Sequence, residues 1–223
     1  MKKMFSDYRS FFAALLVMGL LTIAGCNKKE STVSPAPPGN ETLSTVELFY
    51  QNSTNAADSG RAIWRQLDLT QKNLPDTSLA KLSLKANSTY NVQVIILDEV
   101  TDAPKVDSVT PEIVARQNYH LFFFQPEPIS ASSLVISNTS PYIPVEDGTV
   151  VSATGPYLNL SVERADLDGN TPPMQIGLKD TFTTGAASTG SLRVVMRHQP
   201  NAKNGTYAPG SSDFDVNYQI AIQ

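Results

Sequence analysis

From Ser44 onward, apolar and polar residues alternate with a period of two, the spacing that puts successive side chains on opposite faces of a strand. The clearest case is Asp213 to Ile222, where Phe214, Val216, Tyr218, Ile220 and Ile222 are apolar and the residues between them are mostly polar. Tyr157 to Glu163 and Leu192 to His198 repeat the pattern. Thr89 to Leu97 starts with Tyr90, Val92, Val94 and Ile96 on one face and then turns apolar on both. Leu121-Phe122-Phe123-Phe124 is apolar on both faces, which predicts a central strand. Further strands are predicted at Val46 to Tyr50, Ala62 to Leu69, Lys81 to Leu84, Ser133 to Ser137 and Gln175 to Phe182.

Turn residues punctuate these runs at Asp58-Ser59-Gly60, Asp147-Gly148, Asp168-Gly169-Asn170 and Asn204-Gly205. One short helix is predicted from Pro111 to Gln117, with Thr110 as N-cap and a Val109–Val114 staple. About nine short strands and one helix predict an all-β domain over 44–223. An immunoglobulin-like β-sandwich is the first expectation and a closed barrel the alternative.

The first 43 residues follow different rules. Lys2, Lys3 and Arg9 precede an apolar run from Phe11 to Ile23, too short for the ~20 residues of a spanning helix. The run ends in Leu20-Leu21-Thr22-Ile23-Ala24-Gly25-Cys26, which resembles a lipobox: small side chains open the backbone to signal peptidase, and the thiol accepts diacylglycerol. Residues 1–25 are therefore read as a lipoprotein signal peptide, with thioether-linked diacylglycerol and palmitate-type acylation expected on Cys26. Residues 26–43 then form a tether in which Pro35, Pro37 and Pro38 favour an extended, semi-rigid backbone. Asn27 is not the aspartate associated with inner-membrane retention, so an outer-membrane location is expected, on its periplasmic or its surface face.

Charge and cysteine usage narrow the function. Loss of Lys2, Lys3, Asp7 and Arg9 takes the net charge from −4 to −6, the wrong sign for a nucleic-acid surface. Cys26 is the sole cysteine, which excludes a disulfide framework and a thiolate metal cluster. No cofactor beyond the covalent lipid is expected.

Several blocks together resemble a family of uncharacterised bacterial lipoproteins from genomes rich in TonB-dependent transporters. They are Leu84 to Tyr90, Thr110 to Ile113 with Tyr119 to Phe124, Phe182 to Gly190, Arg197 to Pro200 and Asp213 to Val216. The chain departs from the family at Ala115-Arg116-Gln117-Asn118, where an acidic stretch is usual. The resemblance implies an all-β lipoprotein encoded near an outer-membrane receptor, and no particular activity.

Candidate chemistry is sparse. His120 and His198 are the only histidines, each at the end of an apolar strand. Neighbouring strands would bring the imidazoles together, and a carboxylate such as Asp213 or Asp215 would complete a metal site. Asp166, Asp168 and Asn170 alternate oxygen donors as a Ca²⁺ loop does, but Thr171 and Gly177 stand where an EF-hand needs Gly and Glu. A polar turn explains the same three residues. Trp64, between Arg61 and Arg65, is a candidate ligand contact for a sugar or peptide if it faces outward. Gly185 to Ser191 copies the glycine spacing of a phosphate loop without its lysine. Asp107-Ser108-Val109 matches a bacterial O-glycosylation acceptor at Ser108.

No Gly-x-Ser-x-Gly elbow is present, and no Ser-His pairing is legible for nucleophilic catalysis. The expectation is thus a non-enzymatic binding or accessory module on a membrane, serving an outer-membrane transporter or a glycan or peptide. A metal-handling lipoprotein is the alternative and a cell-surface hydrolase the remote one.

Overall fold

The computed structural model describes residues 42–130, 140–144, 151–152 and 154–223. The predicted strand Ser133 to Ser137 and the turn Asp147-Gly148 lie outside them. Among the described residues twelve strands and one helix follow in order: β1 Thr45–Asn52, β2 Ser59–Arg65, β3 Lys81–Leu84, β4 Thr89–Asp98, β5 Asp107–Ser108, α1 Thr110–Ala115, β6 His120–Glu127, β7 Ile129–Ser130, β8 Val151–Ser152, β9 Leu160–Arg164, β10 Lys179–Thr184, β11 Ser188–His198 and β12 Ser211–Ile222. Nine of the twelve are four residues or longer; the other three are two-residue pairings.

Two sheets face each other as a β-sandwich, and neither closes into a barrel. One runs β2-β1-β4-β10-β9, with β5 added beside β4; the other runs β3-β12-β11-β6. Every pairing in them is antiparallel except β12 with β3. The alternation read from the sequence sets which face is buried. Phe214, Val216, Tyr218, Ile220 and Ile222 of β12 meet Leu48, Tyr90, Val92, Val94 and Phe182 of the opposite sheet in one apolar core. Each such side chain contributes about 1.5–3 kcal/mol by leaving water. Tyr218 is wholly buried, and its hydroxyl donates to the Val46 carbonyl at 2.8 Å, tying the two sheets together.

Several sequence expectations need correction. β2 stops at Arg65, where Arg65 bridges Asp76, so the predicted strand Ala62 to Leu69 loses its second half to a loop. The triple-phenylalanine strand is β6, an edge of its sheet rather than a central strand. It is buried on both faces because loop segments cover it. Phe122 and Phe124 enter the main core, while Leu121 and Phe123 pack with Ile143 and Val195 under Tyr207. Its outer edge is blunted by Phe122 N–H donating to the Ile176 carbonyl and Phe124 N–H to that of Pro141.

Thr110 does not cap α1 either. Its hydroxyl pins β4, accepting from Ile96 N–H at 2.8 Å and standing 3.3 Å from the Ile96 carbonyl, while Val109 occupies the N-cap without a side-chain bond. The Val109–Val114 staple is absent, since Val109 is buried and Val114 faces solvent. Ile113 is the buried anchor of the helix.

Candidate metal centre

β6 and β11 are antiparallel neighbours, and their register sets His120 directly opposite His198. Their ring centroids lie 5.0 Å apart. Both imidazoles are buried, His120 completely. The third group comes from an irregularity in β12. Met196 pairs with Phe214 and Arg197 with Ser212, so Asp213 has no partner on β11. A β-bulge of this kind re-aims a side chain that regular alternation would send outward. The Asp213 carboxylate accordingly stands 3.7 Å from His120 Nε2 and 3.6 Å from His198 Nδ1. One donor atom from each of the three residues lies within 4.8 Å of the other two.

Those distances are too long for hydrogen bonds and close to metal geometry. Donors bound tetrahedrally at about 2.1 Å sit roughly 3.4 Å apart, so each histidine–carboxylate edge needs only a few tenths of an ångström of contraction. His120 Nδ1 lies 3.1 Å from the Arg116 carbonyl. A carbonyl only accepts, so Nδ1 carries the proton and Nε2 of the neutral ring turns its lone pair toward Asp213. Burial, with His198 adding to it, pushes the His120 imidazolium down to about 4, so the ring is neutral at physiological pH. Burial also raises the Asp213 carboxyl, against the opposing pull of His198 and Arg197. Neither His120 Nε2 nor His198 Nε2 has a hydrogen-bond partner among the described residues. An orphaned buried nitrogen is costly unless something binds it, and His120 Nε2 is the one that faces Asp213.

The surroundings hold the donors in place. Tyr119 stacks on His198 at 6.3 Å with an interplanar angle of 16°. The loop from Gln199 to Gly210 is tied down by Arg197, whose guanidinium reaches the Gly210 carbonyl at 2.6 Å and lies over the Tyr207 ring. Gln199 Nε2 donates to the carbonyls of Thr206 and Pro209. Asp213 is the most exposed of the three donors at 18 %, so an ion would arrive on its side.

The other nominated residues fare differently. Asp215 faces away and forms a two-pronged pair with Arg193 at 2.6 and 2.8 Å, which leaves Asp213 as the carboxylate of the site. The carboxylates of the Ca²⁺ reading of Asp166, Asp168 and Asn170 are engaged within the protein. Asp168 accepts from the N–H groups of Asn170 and Met174, from Asn170 Nδ2 and from Lys203 Nζ at 2.7 Å, so a buried ammonium stands where a cation would. Asp166 spends its oxygens on the N–H groups of Gly177 and Leu178. Trp64 is partly buried and packs on the main core, with Arg61 paired to Glu47 and Arg65 to Glu99. Part of the ring stays exposed at that position. Strand β11 begins at Ser188, inside the glycine-rich stretch Gly185 to Ser191, so no helix N-terminus is there to hold a phosphate. Ser108 is exposed on β5.

The sequence named both histidines and offered Asp213 and Asp215 as alternatives. The Arg116 carbonyl and the Tyr119 ring were missed, and only their nearness to His120 in the chain pointed to them. An open groove of about 750 Å³ elsewhere, walled partly by Tyr142, Tyr157, Asn159 and Ser161, is lined by Gly185 but by none of the metal or ligand-contact candidates. No protein-family model, curated protein or solved structure matches the chain.

Proposed function

We propose that this chain is an exported, lipid-anchored binding protein that holds a divalent transition-metal ion between His120, His198 and Asp213. The convergence of two buried imidazoles and a carboxylate from three strands, with no hydrogen bonds joining them, carries this reading. Two nitrogen donors and one oxygen donor suit Zn²⁺, Ni²⁺, Cu²⁺ or Fe²⁺ and leave coordination positions open for water or a cargo group. The role is non-enzymatic. Among the described residues neither imidazole is hydrogen-bonded to a serine or threonine hydroxyl, so a serine-type catalytic triad has no support here.

The lipobox-like stretch before Cys26 supports attachment to a membrane, with the outer membrane the better fit. A metal-binding domain tethered there suits an accessory of an outer-membrane receptor, as the resemblance to transporter-rich lipoproteins implies. The decisive experiment is metal analysis of protein purified without chelator, followed by Co²⁺ titration read by absorbance. About one ion per chain is expected, lost in a His120→Ala/His198→Ala variant that keeps its β-sheet circular dichroism. Equal metal content in that variant and the parent would refute the reading.

A further inference from the structure

Between β2 and β3 the chain makes a loop that exposes three leucines. Arg65 and Asp76 close its base by two backbone hydrogen bonds, and Gln66 Nε2 donates to the Asn73 carbonyl. Inside it, the Asp68 carboxylate accepts from the N–H groups of Thr70 and Asn73 and from both of their side chains. Asp68 thus gathers Thr70 and Asn73 around itself, and the leucines beside them are exposed. Leu67 is 53 % exposed, Leu69 51 % and Leu74 92 %. Three exposed leucines on one loop are unusual for a surface connection and mark a contact surface.

The position of this loop says which surface. Gln66 N–H donates to the Ser44 carbonyl at 2.7 Å, so the leucine loop starts beside the point where the chain enters β1. Only fifteen residues, Asn27 to Glu41, separate Cys26 from the described domain. At about 3 Å each, they keep the domain within roughly 50 Å of any bilayer holding Cys26, at high effective concentration. The end of the sandwich bearing Leu67, Leu69 and Leu74 is also the end the tether pulls on. We infer that this loop is a membrane-docking surface, seating Leu67, Leu69 and Leu74 in the interfacial layer of the bilayer to which the chain is anchored. The Asp68 carboxylate and its Thr70 and Asn73 donors already satisfy one another, which lowers the cost of bringing the loop to that layer. Lys72, on the same loop, supplies a cation for lipid phosphate. The inference rests on lipidation of Cys26.

The test uses the full chain, processed in a lipoprotein-forming bacterium and reconstituted into phospholipid vesicles. Leu74→Cys is labelled with an environment-sensitive fluorophore, acylated Cys26 being unreactive; Ala56→Cys, in the exposed loop at the far end of β1, is the control. Both proteins are expected to float with the vesicles. The label at position 74 should shift to the blue and brighten relative to detergent-free soluble protein, while the label at position 56 stays water-like. Flotation with identical water-like spectra at both positions overturns the docking surface and leaves the anchor standing. Failure to float overturns the anchor, and the docking surface falls with it.

Discussion

His120 Nε2 faces the Asp213 carboxylate across 3.7 Å, from β6 to a bulge in β12 with β11 between them. Neither group has a hydrogen bond to the other, and the imidazole is fully buried. A cation shared with His198 resolves both deficits at once, because each donor gains a bond while the carboxylate supplies the compensating charge.

Asp213→Asn should weaken metal binding by roughly 10-fold or more, since the amide keeps the shape and loses the charge. His120→Ala and His198→Ala should each abolish stoichiometric Co²⁺ absorbance. Saturating Zn²⁺ should raise the thermal midpoint of the parent, at 100 times the dissociation constant by the equivalent of about 2.7 kcal/mol. Thermal unfolding of Asp213→Asn with and without Zn²⁺ checks this, and an unchanged shift would count against the site.

Gly210 is the rigid corner next to His198. Its φ is +77°, and a Cβ placed there would lie 1.9 Å from the His198 carbonyl oxygen. Gly210→Ala should therefore cost about 2 kcal/mol or more and lower Co²⁺ affinity, because the backbone holding His198 must move. Urea unfolding together with Co²⁺ titration separates the two effects.

The buried Lys203–Asp168 pair joins the loop after β11 to the turn after β9, and Lys203 also donates to the Gln117 carbonyl at 2.9 Å. Burial opposes both charges and lowers the lysine, while the hydrogen bonds from Lys203, Met174 and Asn170 hold the Asp168 carboxyl below its usual range. Four donors converge on the carboxylate and keep it ionised. Lys203→Met should destabilise the fold by about 3–5 kcal/mol, having stranded a buried carboxylate. A depressed folded value means that the Asp168 contribution is complete above the ordinary carboxyl pKa of about 3.9 and is lost as pH falls through the lower folded one. Acid unfolding of Asp168→Asn should show a shallower loss of stability below about pH 4 than the parent.

Tyr218→Phe should cost about 1 kcal/mol in urea unfolding. It deletes the hydroxyl that reaches Val46 across the sandwich and leaves the ring packing intact.

The histidine pair was legible early because strand ends are legible: alternation located β6 and β11, and each histidine closes an apolar run. The choice of Asp213 over Asp215 was not. Strict alternation sends both aspartates outward, and only the slip of register at Met196/Arg197 turns one of them inward. Asp166, Asp168 and Asn170 have calcium-like spacing in the chain, and the pairing of Asp168 with Lys203, 35 residues away, cannot be read from spacing.

By itself, then, the sequence determined the alternation, the inward faces of the strands, the all-β class and the lipobox-like leader, because these are local or periodic properties of the chain. The tertiary structure decided that β6 is an edge strand, that Thr110 pins β4, and which carboxylate joins the two histidines. Those outcomes depend on which strands become neighbours and where one of them bulges, and pairing energy between distant segments sets both.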